Sequence, residues 1–256
     1  MSSQVLLLGS GIGYSASPAI QNAAFRTAGL AITYALCDVE ADELARAVRT
    51  LRDPEAVGAN VTTPHKVAVL DLVDEVDPTA ARIGAANVIA RRGNRLVAYN
   101  TDLPAIAAEL RELRPRAGQA VVLGTGGAAR TVAVALDDAG WHDVRMVSRD
   151  DWARLPELLA AADLVVNATP IGTMSDKSPV PAPALRPTLG VLDLTYRPSP
   201  TRLVRNARGV GAPARAGAGV LLRQAAMSFE VWTERAAPLS VMRDALISEL
   251  GRGADV

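Results

Sequence analysis

Ala120-Val121-Val122-Leu123-Gly124-Thr125-Gly126-Gly127-Ala128-Ala129 runs from a short apolar stretch through a glycine turn into a helix-forming segment. The turn fits the pattern G-x-G-x-x-G/A, with Ala129 in the third small position. In a strand–turn–helix unit, the first glycine permits the tight turn and the second lets backbone approach a pyrophosphate. The third small residue lets helix pack on strand, and the helix N-terminus points free N–H groups at the phosphates. The required context is present, because a helical pattern continues to about Asp138 and a second strand follows at Val144–Val147. Gly124, Thr125, Gly126, Gly127 and Ala128 are therefore candidate dinucleotide ligands. A glycine turn that binds nothing is the alternative.

Outward from this unit, strand-like and helix-like segments alternate, as in βαβ folds. On the N-terminal side, Val5–Leu8, Thr33–Leu36 and Gly58–Val61 read as strands. Ser17-Pro18 is expected to cap a helix that Gly29 stops, and Leu44, Ala47, Val48 and Leu51 mark a second helix. Thr63-Pro64 is expected to cap and open a third, reaching about Val73. Asn87–Ala90 and Leu96–Tyr99 flank Gly93-Asn94 as a hairpin. A helix starts at Asp102, and Arg114–Gly118 breaks the pattern like a domain boundary. On the C-terminal side, Leu164–Val166 and Val191–Leu194 are strands, Ser178–Pro187 is a loop, and two helices span about Val220–Arg235 and Pro238–Leu250.

Cofactor choice is read after the second strand of the unit, where an acid holds the ribose of NAD and an arginine accommodates the phosphate of NADP. Ser148-Arg149-Asp150-Asp151 occupies that place. Ser148 and Arg149 favour NADP, while the two acids keep NAD possible. Asn167-Ala168-Thr169-Pro170-Ile171-Gly172 should lie at the carboxyl edge of the sheet, which makes Asn167 and Thr169 further cofactor candidates.

Composition narrows the function. The 256 residues carry 27 basic and 27 acidic side chains, so no overall charge favours nucleic acid or an anionic membrane. Aromatics are 4%, and the core must be built from Ala, Val and Leu. The single Cys37 excludes an intrachain disulfide, fits a cytoplasmic setting and reads as a small core residue. His65 and His142 lack the partners that a zinc site needs, so no metal is expected. No apolar run is long enough to cross a bilayer.

Ser15-Ala16-Ser17-Pro18, Asn60-Val61-Thr62-Thr63-Pro64-His65-Lys66, Gly84-Ala85-Ala86-Asn87 and Asn100-Thr101-Asp102 are polar where packing does not require it. With Asp193-Leu194-Thr195-Tyr196-Arg197-Pro198 and Gly217-Ala218-Gly219-Val220-Leu221-Leu222-Arg223-Gln224, they resemble the shikimate dehydrogenase family in order and over nearly the whole chain. The resemblance implies an α/β fold with a discontinuous substrate domain, 1–102 and 220–256. A Rossmann-type dinucleotide domain, 103–219, is inserted between, and the C-terminal helices return to the first domain. It also implies reversible, NADP-dependent reduction of 3-dehydroshikimate to shikimate, with Lys66 and Asp102 as the catalytic pair. Ser15 and Ser17, assisted by Tyr196, would bind the carboxylate. Thr62, Asn87 and Gln224 would hold ring oxygens, and Gly217 would join the cofactor contacts. The expected partner is a small ring hydroxy acid, on a monomer or homodimer.

The chemistry of those residue types is consistent. Hydride delivery to a ketone leaves charge on oxygen, which needs a proton donor within hydrogen-bond reach. Three residues into a helix, the dipole would disfavour the Lys66 ammonium, while Asp102 would stabilise and orient it. Taken singly, Asp102 and Ser17 would be helix caps, Lys66 a solvated side chain and His65 a structural or surface residue. Departures from the family pattern stand at Gly11-Ile12-Gly13-Tyr14, Leu103-Pro104-Ala105, Ser148-Arg149-Asp150 and Val220. They leave room for a relative acting on quinate or an amino analogue with NAD(H). A methylenetetrahydrofolate dehydrogenase is disfavoured by the serine pair. A non-catalytic NAD(P)-binding sensor would not need Lys66 with Asp102.

Overall fold

The computed structural model describes residues 3–113, 118–251 and 253–255. The chain divides into two compact units, one running to Asp102 and including Leu222–Glu249, the other formed by Leu103–Leu221 with the residues from Leu250 onward. The first unit contains β1 (Ser3–Gly9), α1 (Ser17–Thr27), β2 (Ile32–Asp38), α2 (Leu44–Thr50), β3 (Ala56–Val61), β4 (Glu75–Val76), α3 (Pro78–Ile83), β5 (Val88–Arg92) and β6 (Arg95–Tyr99). α4 (Asp102–Leu113) leads into the second unit. That unit holds β7 (Gln119–Leu123), α5 (Gly127–Asp138), β8 (Asp143–Val147), α6 (Leu155–Ala161), β9 (Leu164–Asn167), β10 (Gly190–Asp193), α7 (Arg202–Gly209) and β11 (Ala214–Ala216). α8 (Gly217–Thr233) leads back, and α9 (Leu239–Leu250) follows. The expected break at Arg114–Gly118 falls mostly on residues 114–117, outside the described residues.

The second unit is a wholly parallel sheet in the order β11-β10-β9-β7-β8. Its inner strands are continuous apolar runs because both faces are covered. Ala120, Val121, Val122, Leu123, Leu164, Val165 and Val166 are all fully buried. Burying one such leucine contributes about 1.5–3 kcal/mol. The chain leaves β7 for β8 on one side and returns as β9 on the other, so the strand order reverses at β7, where open α/β sheets bind ligands beyond their carboxyl ends.

The first unit repeats this logic in a mixed sheet, β2-β1-β3-β5-β6-β4. β1 pairs in parallel with β2 and β3, and β3 pairs antiparallel to β5. The expected hairpin forms between β5 and β6 in the register Arg92↔Arg95, with Gly93 at φ 62°. The reversal point here is β1, and the segments after β1 and β3 leave the sheet side by side. A Cβ on Gly9 would lie 2.4 Å from Thr62 Cγ2, so glycine is required at that crossing.

Two local expectations are corrected. Thr63-Pro64 does not open a helix: the peptide is cis, residues 63–67 are turns, and a short 3-10 helix covers only Ala68–Leu72. Ser17 is not the cap of α1: Ala16 holds the N-cap position and makes no side-chain cap bond. The Ser17 N–H instead donates to Ser15 Oγ at 3.2 Å. Cys37 is only partly buried, packed against the first unit's core, and burial pushes its thiol up.

Candidate active site

The segments that leave β1 and β3 deliver Ser15, Ser17, Thr62 and Lys66 to the carboxyl edge of the first unit's sheet. Lys66 is fixed from two sides. Its carbonyl accepts from Ala86 N at 2.8 Å, and its Nζ donates to Asp102 Oδ2 at 2.6 Å. The two side chains are 15% and 10% exposed, so this ion pair is shielded from water yet reachable. Lys66 stands in a turn just ahead of the short 3-10 helix and not three residues into a helix, which removes the helix-dipole argument in the form expected. Asp102, the first residue of α4, is held independently of Lys66. Its Oδ1 accepts from Asn87 Nδ2 at 2.9 Å.

Asn87 is the hub of the cluster. Its Nδ2 also lies 2.9 Å from Thr101 Oγ1 and 3.3 Å from Gln224 Oε1, while its Oδ1 accepts from Thr101 N at 2.7 Å. The expected residues Lys66, Asp102, Asn87 and Gln224 thus come together. Ser15 and Thr62 lie in the neighbouring loops and Ser17 begins α1, and none of the three is hydrogen-bonded to that hub. Tyr196 belongs to the second unit, just beyond β10.

Beneath the hub lies a buried polar layer in which sequence reasoning noted Asn60 only as part of a polar segment, and Tyr34 and Ser228 not at all. Tyr34 OH donates to Asn60 Oδ1 at 2.8 Å, and Asn60 Nδ2 donates to Asn87 O at 2.9 Å and to Ser228 Oγ at 3.2 Å. Ser228 donates to Gln224 O at 2.8 Å. These bonds satisfy polar groups that would each cost about 1–3 kcal/mol if buried alone. The signal was available in principle, as Asn60 interrupts an otherwise apolar strand. His65 is structural, buried with Nε2 2.8 Å from Val39 O.

In the second unit the glycine turn has the geometry that a pyrophosphate needs. Gly124 sits at φ +114°, where side chains are strained, and a Cβ there would lie 3.2 Å from Ala168 O. Gly126, the N-cap of α5, has open space at its Cβ position, and no side chain caps the helix. Backbone N–H groups at that end are left for an anion. The residues therefore fit a dinucleotide. Asn167 and Thr169 are committed elsewhere. Asn167 Nδ2 donates to Asp193 Oδ1 and Ile171 O, and its Oδ1 accepts from Thr169 N and Oγ1. Both side chains are thus engaged within the protein. Gly217 also has a steric reason, since a Cβ would meet Leu194 O at 2.3 Å.

Asp193 is fully buried at the end of β10 and accepts from Thr201, Thr195 and Asn167. Burial pushes its carboxyl above the ordinary 3.8, against the pull of those hydrogen bonds. A raised carboxyl contributes most to stability below the ordinary value, and that contribution is lost as pH rises through the raised one. Wild type should therefore exceed Asp193→Asn in thermal stability by more near about pH 4 than near about pH 7. An equal margin at both, by calorimetry, would show an Asp193 that stays ionised.

Residues 7–89 match the shikimate dehydrogenase substrate binding domain family, and residues 217–247 match the shikimate 5'-dehydrogenase C-terminal domain family. The NADP-dependent shikimate dehydrogenase of Methanopyrus kandleri is 37% identical over 274 residues, covering 95% of this chain and 94% of that protein. The shikimate 5-dehydrogenase of Thermus thermophilus, solved with NADP(H) and shikimate, is 33% identical with a TM-score of 0.86 over 97% of this chain and 100% of that one. The quinate dehydrogenase of Corynebacterium glutamicum, solved with NAD, is 27% identical with a TM-score of 0.85, covering 96% and 99%. Among the described residues no helix is long and apolar enough to cross a membrane. With the end-to-end match in sequence and fold, and the polar cluster at Lys66, Asn87, Asp102 and Gln224, the chain belongs to the shikimate dehydrogenase family.

Proposed function

We propose that the chain catalyses the NADP-dependent, reversible reduction of 3-dehydroshikimate to shikimate. The observation that supports this most is the shielded Lys66–Asp102 pair, braced by Asn87 and set in the unit whose sequence matches the substrate binding domain. When bound, the dinucleotide supplies or accepts the hydride. Lys66 Nζ donates a proton to the ring oxygen as charge develops there, and takes it back in the oxidative direction. Asp102 holds the amine in place and balances its charge. Partial exposure of Lys66 leaves a route for proton exchange with water. Asn87, Gln224 and Thr62 offer fixed amide and hydroxyl groups to the ring oxygens. Such groups reject analogues lacking a hydroxyl, because an unmatched buried partner costs binding. Ser15 and Ser17 take the carboxylate. Gly124–Ala128 receive the pyrophosphate, and Arg149 the 2′-phosphate. The single cysteine fits action in a reducing cytoplasm.

A second possibility is favoured by the likeness to the quinate dehydrogenase: the same site on quinate with NAD. Initial rates with NADP and NAD against shikimate, quinate and amino analogues decide between them. A kcat/KM highest for shikimate with NADP supports the proposal, and turnover of quinate with NAD alone defeats it. Arg149 is exposed, and its side chain takes no partner among the described residues. Arg149→Ala should weaken NADP about ten- to a hundredfold, the equivalent of a charge-assisted hydrogen bond, while NAD binding changes little. Equal weakening of both in a binding titration would move Arg149 from the phosphate to the adenine.

A further inference from the structure

We propose that Ser148 and Asp151 form a clamp that sets the preference of the second unit for a 2′-phosphorylated dinucleotide by turning the Asp151 carboxylate away from the ribose. The clamp rests on the dinucleotide role of that unit and deepens it. Residues following the second strand of such a unit meet the adenosine ribose, where an acid accepts from free hydroxyls and a cation takes a phosphate. Ser148-Arg149-Asp150-Asp151 offers both chemistries, and its side-chain geometry separates them. Ser148 Oγ donates to Asp151 Oδ2 at 2.8 Å, and Ser148 N approaches the same oxygen at 3.4 Å. Ser148 Oγ in turn accepts from Asp150 N at 3.2 Å.

A serine hydroxyl has one proton to give. Committed to Asp151, it is not offered to a phosphate, so Ser148 acts as a positioning residue and touches no ligand through its hydroxyl. The Asp151 carboxylate is bound within its own four-residue turn. Arg149, between them, is left exposed to attract the phosphate without Asp151 neutralising it. Releasing Asp151 would place a second negative group beside a dianion, and at contact distance in water that repulsion is worth about tenfold in affinity.

The test uses the full-length protein and measures dissociation constants for NADP+ and NAD+ by calorimetric titration. Ser148→Ala should lower the NADP+/NAD+ preference about tenfold. Adding Asp151→Ala to it should restore the preference to within about threefold of wild type, and Asp151→Ala alone should leave it unchanged or raise it. Thermal unfolding checks that these substitutions leave the fold intact. If the double variant keeps the loss of Ser148→Ala, Ser148 contacts the phosphate directly and the clamp is wrong. An unaltered preference in Ser148→Ala also overturns it. A larger rise in Asp150→Asn than in Asp151→Ala would make Asp150 the discriminating acid, against the proposal. Failure of the wild type to bind either dinucleotide is a separate result, which removes the nucleotide role itself and the clamp with it.

Discussion

Turnover of Lys66→Ala is expected to fall by about 10²–10⁴-fold, the usual contribution of a positioned general acid, with dinucleotide affinity unchanged. The geometry makes the experiment interpretable. The Lys66 backbone is held by Ala86 N and belongs to a turn, so the segment does not depend on the side chain for its path. Asp102 keeps its bond from Asn87 when the amine is gone, which limits collapse of the cluster. Removing one partner of a shielded ion pair still destabilises, by up to about 3–5 kcal/mol for a fully buried case. Lys66→Met, similar in volume but without a proton to give, therefore accompanies the alanine variant. If both variants fold and bind NADP yet lose turnover together, the loss belongs to proton transfer. A decrease below about tenfold, or 1.4 kcal/mol, would remove Lys66 from the chemistry.

Much of the frame was legible because its signals are local. The turn at Gly124 announces itself by spacing, the β5–β6 hairpin by Gly93-Asn94, and the buried strands by continuous Val, Leu and Ala. Local signals also misled. Thr63-Pro64 and Ser17-Pro18 both look like a cap followed by a first-turn proline, yet the first is a turn and the second has its cap one residue earlier, at Ala16. Asn167 and Thr169 also bind within the protein, Asn167 Nδ2 to Asp193 and Thr169 Oγ1 to Asn167 Oδ1, an engagement that spacing alone does not show. Other features depend on contacts between distant residues. Asn60 meets Ser228 across 168 positions, and Arg215 pairs with the buried Glu109 across 106. Gly219 follows from the latter, because a Cβ there would meet Glu109 Oε1 at 2.4 Å. Spacing within one chain cannot reveal such pairs. The family resemblance brought the polar cluster into view by naming its members, and the hydrogen bonds explain why Asn87 lies at its centre.

Asp102→Asn is expected to lose turnover about 10²-fold or more, and it separates a catalytic carboxylate from a helix cap. Asparagine caps helices as well as aspartate does, so a residue that only begins α4 would tolerate the change in both stability and rate. The surroundings predict otherwise. Asp102 accepts from Lys66 Nζ through one oxygen and from Asn87 Nδ2 through the other. An asparagine at that position has one carbonyl and one NH₂, so one of the two donors must face another donor. The Asn87 amide is unable to flip in compensation, because its Oδ1 already accepts from Thr101 N at 2.7 Å. If the new NH₂ faces Lys66, the amine loses its orientation and its counter-charge together. If it faces Asn87, the hub that also touches Thr101 and Gln224 is displaced. Either outcome moves the proton donor from the ring oxygen, and misplacement by about 1 Å costs on the order of 10²-fold. Stability should fall as well, by about 1–3 kcal/mol for the unmatched donor. Single-turnover rates with shikimate and NADP+, alongside thermal unfolding, give the answer: a variant that melts with the wild type and turns over normally leaves Asp102 as the first residue of α4 and nothing more.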